Sequence, residues 1–92
     1  MVKVNEYFDG KVKSLAMVCE NGLATVGVME PGKYEFGTTS EEIMQIIEGN
    51  MNVSIPGQNK QTFQKGQSFK VPANIRFEVE VERDTAYICY YK

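Results

Sequence analysis

What a protein can catalyse is bounded first by its side chains, and this chain of 92 residues has no histidine. Ser-His-Asp and Cys-His nucleophilic catalysis, imidazole acid-base chemistry, Cys/His zinc sites and the two-histidine, one-carboxylate iron site are excluded with it. Any reaction must run on positioning, carboxylates, hydroxyls, amides and cations. The two cysteines, Cys19 and Cys89, lie inside apolar segments without CxxC spacing, which favours buried free thiols over a disulfide. Lys11 and Lys13 share the parity of Leu15, Met17 and Cys19. If those residues face a core, the two ammonium groups lie on the interior side near an open end; the alternative is a pair of solvated surface lysines.

Ten Lys plus Arg against twelve Asp plus Glu give a net charge of −2, which leaves no basic surplus for a phosphate backbone and speaks against nucleic acid as a partner. With 42% hydrophobic and 24% charged residues the composition is that of a globular domain rather than a disordered chain. Its length suits one domain, residues 1–92. The opening Met1-Val2-Lys3-Val4-Asn5-Glu6 lacks the apolar run of a signal peptide, and no stretch nears the roughly 20 apolar residues of a membrane helix. A cytoplasmic protein without a membrane partner is the expectation.

The elements that must position these groups are short strands. Asn21-Gly22 reads as a type I′ hairpin turn between Lys11–Glu20 and Leu23–Met29, and Pro31-Gly32 as a type II turn with glycine at positive φ. Gly49-Asn50, Pro56-Gly57, Lys65-Gly66 and Arg83-Asp84 continue the punctuation. Ile75, Phe77, Val79 and Val81 alternate with Arg76, Glu78, Glu80 and Glu82, so one face of that strand is buried and the other wet, Arg76 included. About eight to ten antiparallel strands in so short a chain suggest a sandwich or barrel. One segment is ambiguous: Thr39-Ser40-Glu41-Glu42 resembles a capping box, and Ile43, Met44, Ile46 and Ile47 have helical spacing. The same stretch also reads as strand, a two-residue turn at Gly49-Asn50, and strand.

Glu42 followed by six residues and Gly49 is similar to the second half of the first cupin motif, and Gly66 followed by five residues and Pro72 to the start of the second. The resemblance implies an all-β, single-domain cupin, a jelly-roll β-barrel, with Glu41–Glu48 a strand. More specifically, Asn5 to Ser14, Val26-Gly27-Val28-Met29 with Pro31 to Phe36, Gly66 to Pro72, and Tyr87-Ile88-Cys89 resemble the small bacterial pyrimidine/purine nucleoside phosphorylase family. That similarity runs through nearly the whole chain.

Under this resemblance the first cupin motif's ligand positions fall on Phe36, Thr38 and Glu42, and the second motif's histidine on Phe77. Asn74 replaces the usual glycine, a change its tolerance of the left-handed region permits. Such a set cannot hold the usual cupin metal. The implied activity is a metal-independent pentosyltransferase, without cofactors, that phosphorolyses purine and pyrimidine ribonucleosides to free base and ribose 1-phosphate; the implied assembly is a homodimer. Phe36, Phe77 and Tyr34 would pack against the base or close the core. Glu42 would accept hydrogen bonds from two ribose hydroxyls, or be an exposed cap; Thr38 would bind sugar or phosphate, or form a turn. Lys13 and Lys11 are the candidates for phosphate. The alternative function is a non-enzymatic small-molecule-binding cupin used for sensing or storage.

Overall fold

The computed structural model describes residues 1–92 and contains ten strands and no helix: β1 (Val4–Tyr7), β2 (Val12–Cys19), β3 (Gly22–Met29), β4 (Gly32–Gly37), β5 (Glu42–Glu48), β6 (Asn50–Ser54), β7 (Gln61–Gln64), β8 (Ser68–Val71), β9 (Arg76–Val81) and β10 (Thr85–Tyr91). They form a six-stranded sheet, β1-β2-β3-β10-β5-β8, and a four-stranded sheet, β4-β9-β6-β7. The two ladders remain separate, so the barrel is an open one. Between them lies an apolar cluster of 15 buried residues. Each such large side chain adds about 1.5–3 kcal/mol by leaving water.

β9 follows its alternation: Phe77, Val79 and Val81 are buried while Arg76 and Glu78 are exposed. The ambiguous segment is the strand β5, whose Met44 and Ile46 enter the core. Its helical spacing comes from a bulge: Ala86 pairs with Glu48 and Tyr87 with Ile46, which leaves Ile47 between them.

Three turn expectations need correction. β5 and β6 belong to different sheets, so Gly49 marks a corner and not a hairpin. It sits at φ 89°, and a Cβ there would lie 2.5 Å from Thr85 Oγ1, so a side chain would be both strained and obstructed. The β2–β3 hairpin exists, but Cys19 pairs with Gly22, which makes Glu20-Asn21 the connecting pair, and neither has the positive φ that a type I′ turn requires. Gly32 is likewise not at positive φ; a Cβ there would instead meet the Tyr34 hydroxyl at 2.8 Å.

β2 reverses the expected parity. Val12 and Ser14 are buried, whereas Lys13, Leu15 and Met17 are exposed. In the outer face of the six-stranded sheet, Val4 pairs with Leu15, Leu15 with Val26, and Val26 with Ile88, an apolar row across four strands. Around it Met17, Val28, Ile47 and Tyr90 are also exposed.

Candidate functional site

The strands build a cavity of about 390 Å³ between the sheets, within the usual range for small-ligand sites. From the four-stranded sheet come Phe36 on β4 and Phe77 on β9, paired in register with ring centroids 5.9 Å apart. From the six-stranded sheet come Ser14 on β2, Thr25 on β3, Glu42 and Met44 on β5, and Tyr87, Cys89 and Tyr91 on β10. Thr39 lies in the connection to β5. The end of β1 and the turn that follows close one side with Tyr7 and Phe8. Phe8 and Asp9 hold φ values of 54° and 56°, costly for a ring-bearing side chain. That conformation sets the Phe8 ring edge-on to Phe36 at 5.7 Å.

Glu42 pairs directly with Tyr91, and Met44 with Cys89, so Glu42 and Cys89 are diagonal neighbours on one face of adjacent strands. The Cys89 thiol donates to Glu42 Oε1 at 3.3 Å. Tyr91 and Thr25 share a hydroxyl–hydroxyl bond of 3.1 Å. Tyr87 lies flat over Gly27, where a Cβ would be 2.5 Å from its hydroxyl, and turns that hydroxyl toward Ser14. Burial raises the Glu42 carboxyl above its ordinary value, and the bond from Cys89 draws it partly back. Burial raises the Cys89 thiol strongly, with the Glu42 charge adding to it, and pushes Tyr91 up to about 12. Thiol and phenol therefore remain protonated donors at neutral pH.

Of the residues expected from sequence, Glu42, Phe36 and Phe77 meet in this cavity. One Glu42 oxygen, Oε1, already accepts from Cys89, which makes the two oxygens unequal and leaves Oε2 the less engaged of them. Tyr34 does not line the cavity but closes the core behind its wall, its ring centroid 5.0 Å from that of Phe8 and 6.4 Å from that of Phe36, while its hydroxyl donates to the Glu30 carbonyl at 2.6 Å. Thr38 is also outside; its hydroxyl donates to the Pro72 carbonyl at 2.7 Å and accepts from the Ile75 N–H at 3.2 Å, closing the loop that holds Asn74 at φ 61°. Thr39 takes the cavity position instead. Lys11 and Lys13 do not line the cavity, because the inward residues of β2 are Val12 and Ser14; Lys13 pairs outside with Glu6 at 3.3 Å.

Tyr7, Phe8, Ser14, Thr25, Tyr87, Cys89 and Tyr91 were missed as lining residues. The period-two spacing of Tyr87, Cys89 and Tyr91 is the signal that places three polar-tipped side chains on one face. The metal positions of a cupin do not fit an ion here. Two are phenyl rings, the Thr38 hydroxyl is committed to backbone, and no group of three His, Cys, Asp or Glu side chains assembles anywhere. Both cysteines are free.

Comparison with known proteins gives the chain a family and a fold. The profile described as pyrimidine/purine nucleoside phosphorylase matches residues 2–91. Proteins of that name from Pseudomonas putida and Pseudomonas savastanoi pv. phaseolicola are each 53% identical over 93 aligned positions, covering 100% of this chain and 99% and 100% of theirs. A Vibrio parahaemolyticus protein of unknown function superposes with a TM-score of 0.95 at 41% identity, covering 100% of this chain and 99% of the other. An RmlC-like cupin from Shewanella frigidimarina superposes at TM-score 0.73 and 17% identity over 96% of this chain and 80% of its own, which shows the cupin fold alone. With nearly every residue inside one profile and more than half of them shared with relatives of the same name, the chain belongs to the pyrimidine/purine nucleoside phosphorylase family.

Proposed function

We propose that the protein phosphorolyses purine and pyrimidine ribonucleosides without a metal. The observation that carries this reading is the pairing, in one cavity, of a half-buried carboxylate, Glu42, with a wall of aromatic rings, Phe8, Phe36 and Phe77. In phosphorolysis an oxygen of orthophosphate forms a bond to C1′ as the bond from C1′ to the base nitrogen breaks. The base leaves with the electron pair and takes up a proton. Positive charge grows on the sugar and negative charge on the base, so the catalyst must align phosphate with C1′, grip the sugar and accommodate the base.

Glu42 is suited to accept a hydrogen bond from a ribose hydroxyl and to stabilise the growing positive charge. The rings pack against a flat base with little regard to its identity, and a hydrophobic slot separates similar ligands by only about 1–3 kcal/mol, which favours broad use of bases. No lysine or arginine lines the cavity, so phosphate is assigned to its hydroxyls and neighbouring backbone N–H groups.

The test is incubation of chelator-treated protein with a nucleoside panel, with and without phosphate. Phosphate-dependent release of both purine and pyrimidine bases is expected. Binding without release would favour the sensor or storage reading, and activity lost with a stoichiometric metal and restored by it would overturn metal independence. The homodimer is proposed on the apolar outer face of the six-stranded sheet, since contiguous exposed apolar patches commonly mark association sites. Leu15→Glu, at the centre of that row, is expected to sediment as a monomer where the parent sediments as a dimer.

A further inference from the structure

Glu42 is the one carboxylate whose burial, register and partner all point into the cavity, yet a glutamate has several rotatable bonds and two equivalent oxygens. Something must choose its orientation. No cation does so: the titratable groups around it are Cys89, Tyr91 and Tyr87 on β10, with Tyr7 from the end of β1 and Glu35 from β4 across the cavity. Only Cys89 makes a hydrogen bond to the carboxylate, at 3.3 Å to Oε1. Cys89 is itself immobilised, being 2% exposed in the central strand β10 between β3 and β5.

We propose that Cys89 is the positioning residue for Glu42, its thiol fixing Oε1 against β10 and leaving Oε2 as the oxygen offered to a ligand hydroxyl. The inference rests on the reading of Glu42 as the sugar-binding group and adds the device that orients it. A lysine or arginine in this position would orient the carboxylate but cancel its charge, which is what stabilises a cationic sugar. A thiol is a weak, neutral donor, so it orients the group and leaves the charge in place. The thiol also stays a donor wherever Glu42 is ionised, because burial and the neighbouring carboxylate both oppose its deprotonation. The choice of sulfur over a cation therefore has a chemical reason beyond packing.

The test compares Cys89→Ser, which keeps a donor, with Cys89→Val, which keeps the bulk and loses it. Two readouts are taken: the Glu42 carboxyl titration by carbon-13 NMR in the ligand-free protein, and kcat and KM for a nucleoside at saturating phosphate. In Cys89→Val the Glu42 midpoint should move to higher pH, because the bond that favours the charged form is gone, while Cys89→Ser should hold it at or below the parent value. kcat/KM should fall about tenfold in the valine variant, mostly in kcat, and return to within about threefold in the serine variant. An unmoved Glu42 midpoint in Cys89→Val, or equal losses in both variants, overturns the proposal. If valine prevents folding, Cys89→Ala carries the same comparison. Should the parent release no base from any nucleoside, the phosphorolysis reading falls, while the carboxyl titration still decides the Cys89–Glu42 pair.

Discussion

Along the inner face of the six-stranded sheet, the same strands carry two kinds of interior. Toward one end β2 and β5 bury Val12 and Ile46, each at most 1% exposed, with Met29 of β3 at the boundary, as fully buried as they are but lining the cavity as well. A few residues along, the same strands present Ser14, Thr25 and Glu42 to a cavity, joined by Tyr87, Cys89 and Tyr91 from β10. The first end gains stability by excluding water. The second is polar where a core should be apolar, and polar groups out of water are costly unless paired. They are paired, but lightly: the Cys89 thiol on one Glu42 oxygen, the Thr25 and Tyr91 hydroxyls on each other, and the Tyr87 hydroxyl toward Ser14. The spare hydrogen-bonding capacity is what a ligand can use. Stability and binding are thus separated by four residues of one strand, from Ile46 to Glu42.

That separation makes opposite demands on two variants of β5. Ile46→Ala should cost about 2–5 kcal/mol of folding stability by opening a void in the packed end, with kcat/KM of the folded fraction within about threefold of the parent; denaturant titration and kinetics on one preparation check both. Glu42→Gln should do the reverse, lowering kcat/KM by about 10²–10³, the scale for loss of one preorganised electrostatic group. Glu41→Gln, exposed on the neighbouring position, should stay within about twofold. The thermal stability of Glu42→Gln also has a defined sign. The folded carboxyl is raised above its unfolded value, so between the two the native state holds the extra proton and Glu42 subtracts from stability as pH rises through its folded value. Glu42→Gln should therefore melt at or above the parent Tm at neutral pH. That advantage should fade as pH falls into the ordinary carboxylate range. A lower Tm at neutral pH would mean that the carboxylate is a structural partner and the two ends are not separable.

The same contrast explains what could be read from sequence. β9 was legible because its inner and outer residues obey the usual rule, apolar inside and charged outside. β2 and β5 break that rule. On β2 the outer face carries Leu15 and Met17 while the inner face carries Ser14 at the cavity, so parity judged by hydrophobicity turned Lys13 inward. On β5 the outer Ile43 and the bulged Ile47 complete a false helical period with Met44 and Ile46. An apolar outside and a polar inside thus account for the reversed parity on β2 and for the local ambiguity of β5, which the cupin resemblance resolves to a strand. Glu42, Phe36 and Phe77 were legible through family resemblance, because they occupy motif positions at fixed spacing. The tyrosines of β10 hold no motif position, and only their period-two spacing places them on one face, while a strained left-handed phenylalanine has no local sequence signal. Thr38 also holds a motif position and Tyr34 shares the parity of Phe36, but the carbonyl that occupies the Thr38 hydroxyl, that of Pro72, comes from elsewhere in the fold, and the one that occupies the Tyr34 hydroxyl, that of Glu30, is presented by the turn between β3 and β4.

The smallest expected effect tests the boundary between inside and outside most directly. Lys13 is paired with Glu6 across the β1–β2 hairpin, and both side chains are more than half exposed, at 59% and 60%. An exposed pair of this kind contributes about 0–1 kcal/mol and is screened by salt. Yet Lys13 Cε lies 3.5 Å from where a Cβ on Gly10 would sit, under the turn whose Tyr7 and Phe8 face the cavity. The ammonium is near the mouth in chain terms but on the wrong side of the sheet for the space within. Lys13→Ala should accordingly leave KM for phosphate within about twofold, and Lys11→Ala should do the same, since neither charge is desolvated by the cavity. A rise of tenfold or more, abolished by moderate salt, would show instead that the lysine reaches over the turn to the anion. The division between a hollow polar interior and a separate outer face would then fail at that edge, and the phosphate site would have to be rebuilt around the β1–β2 turn.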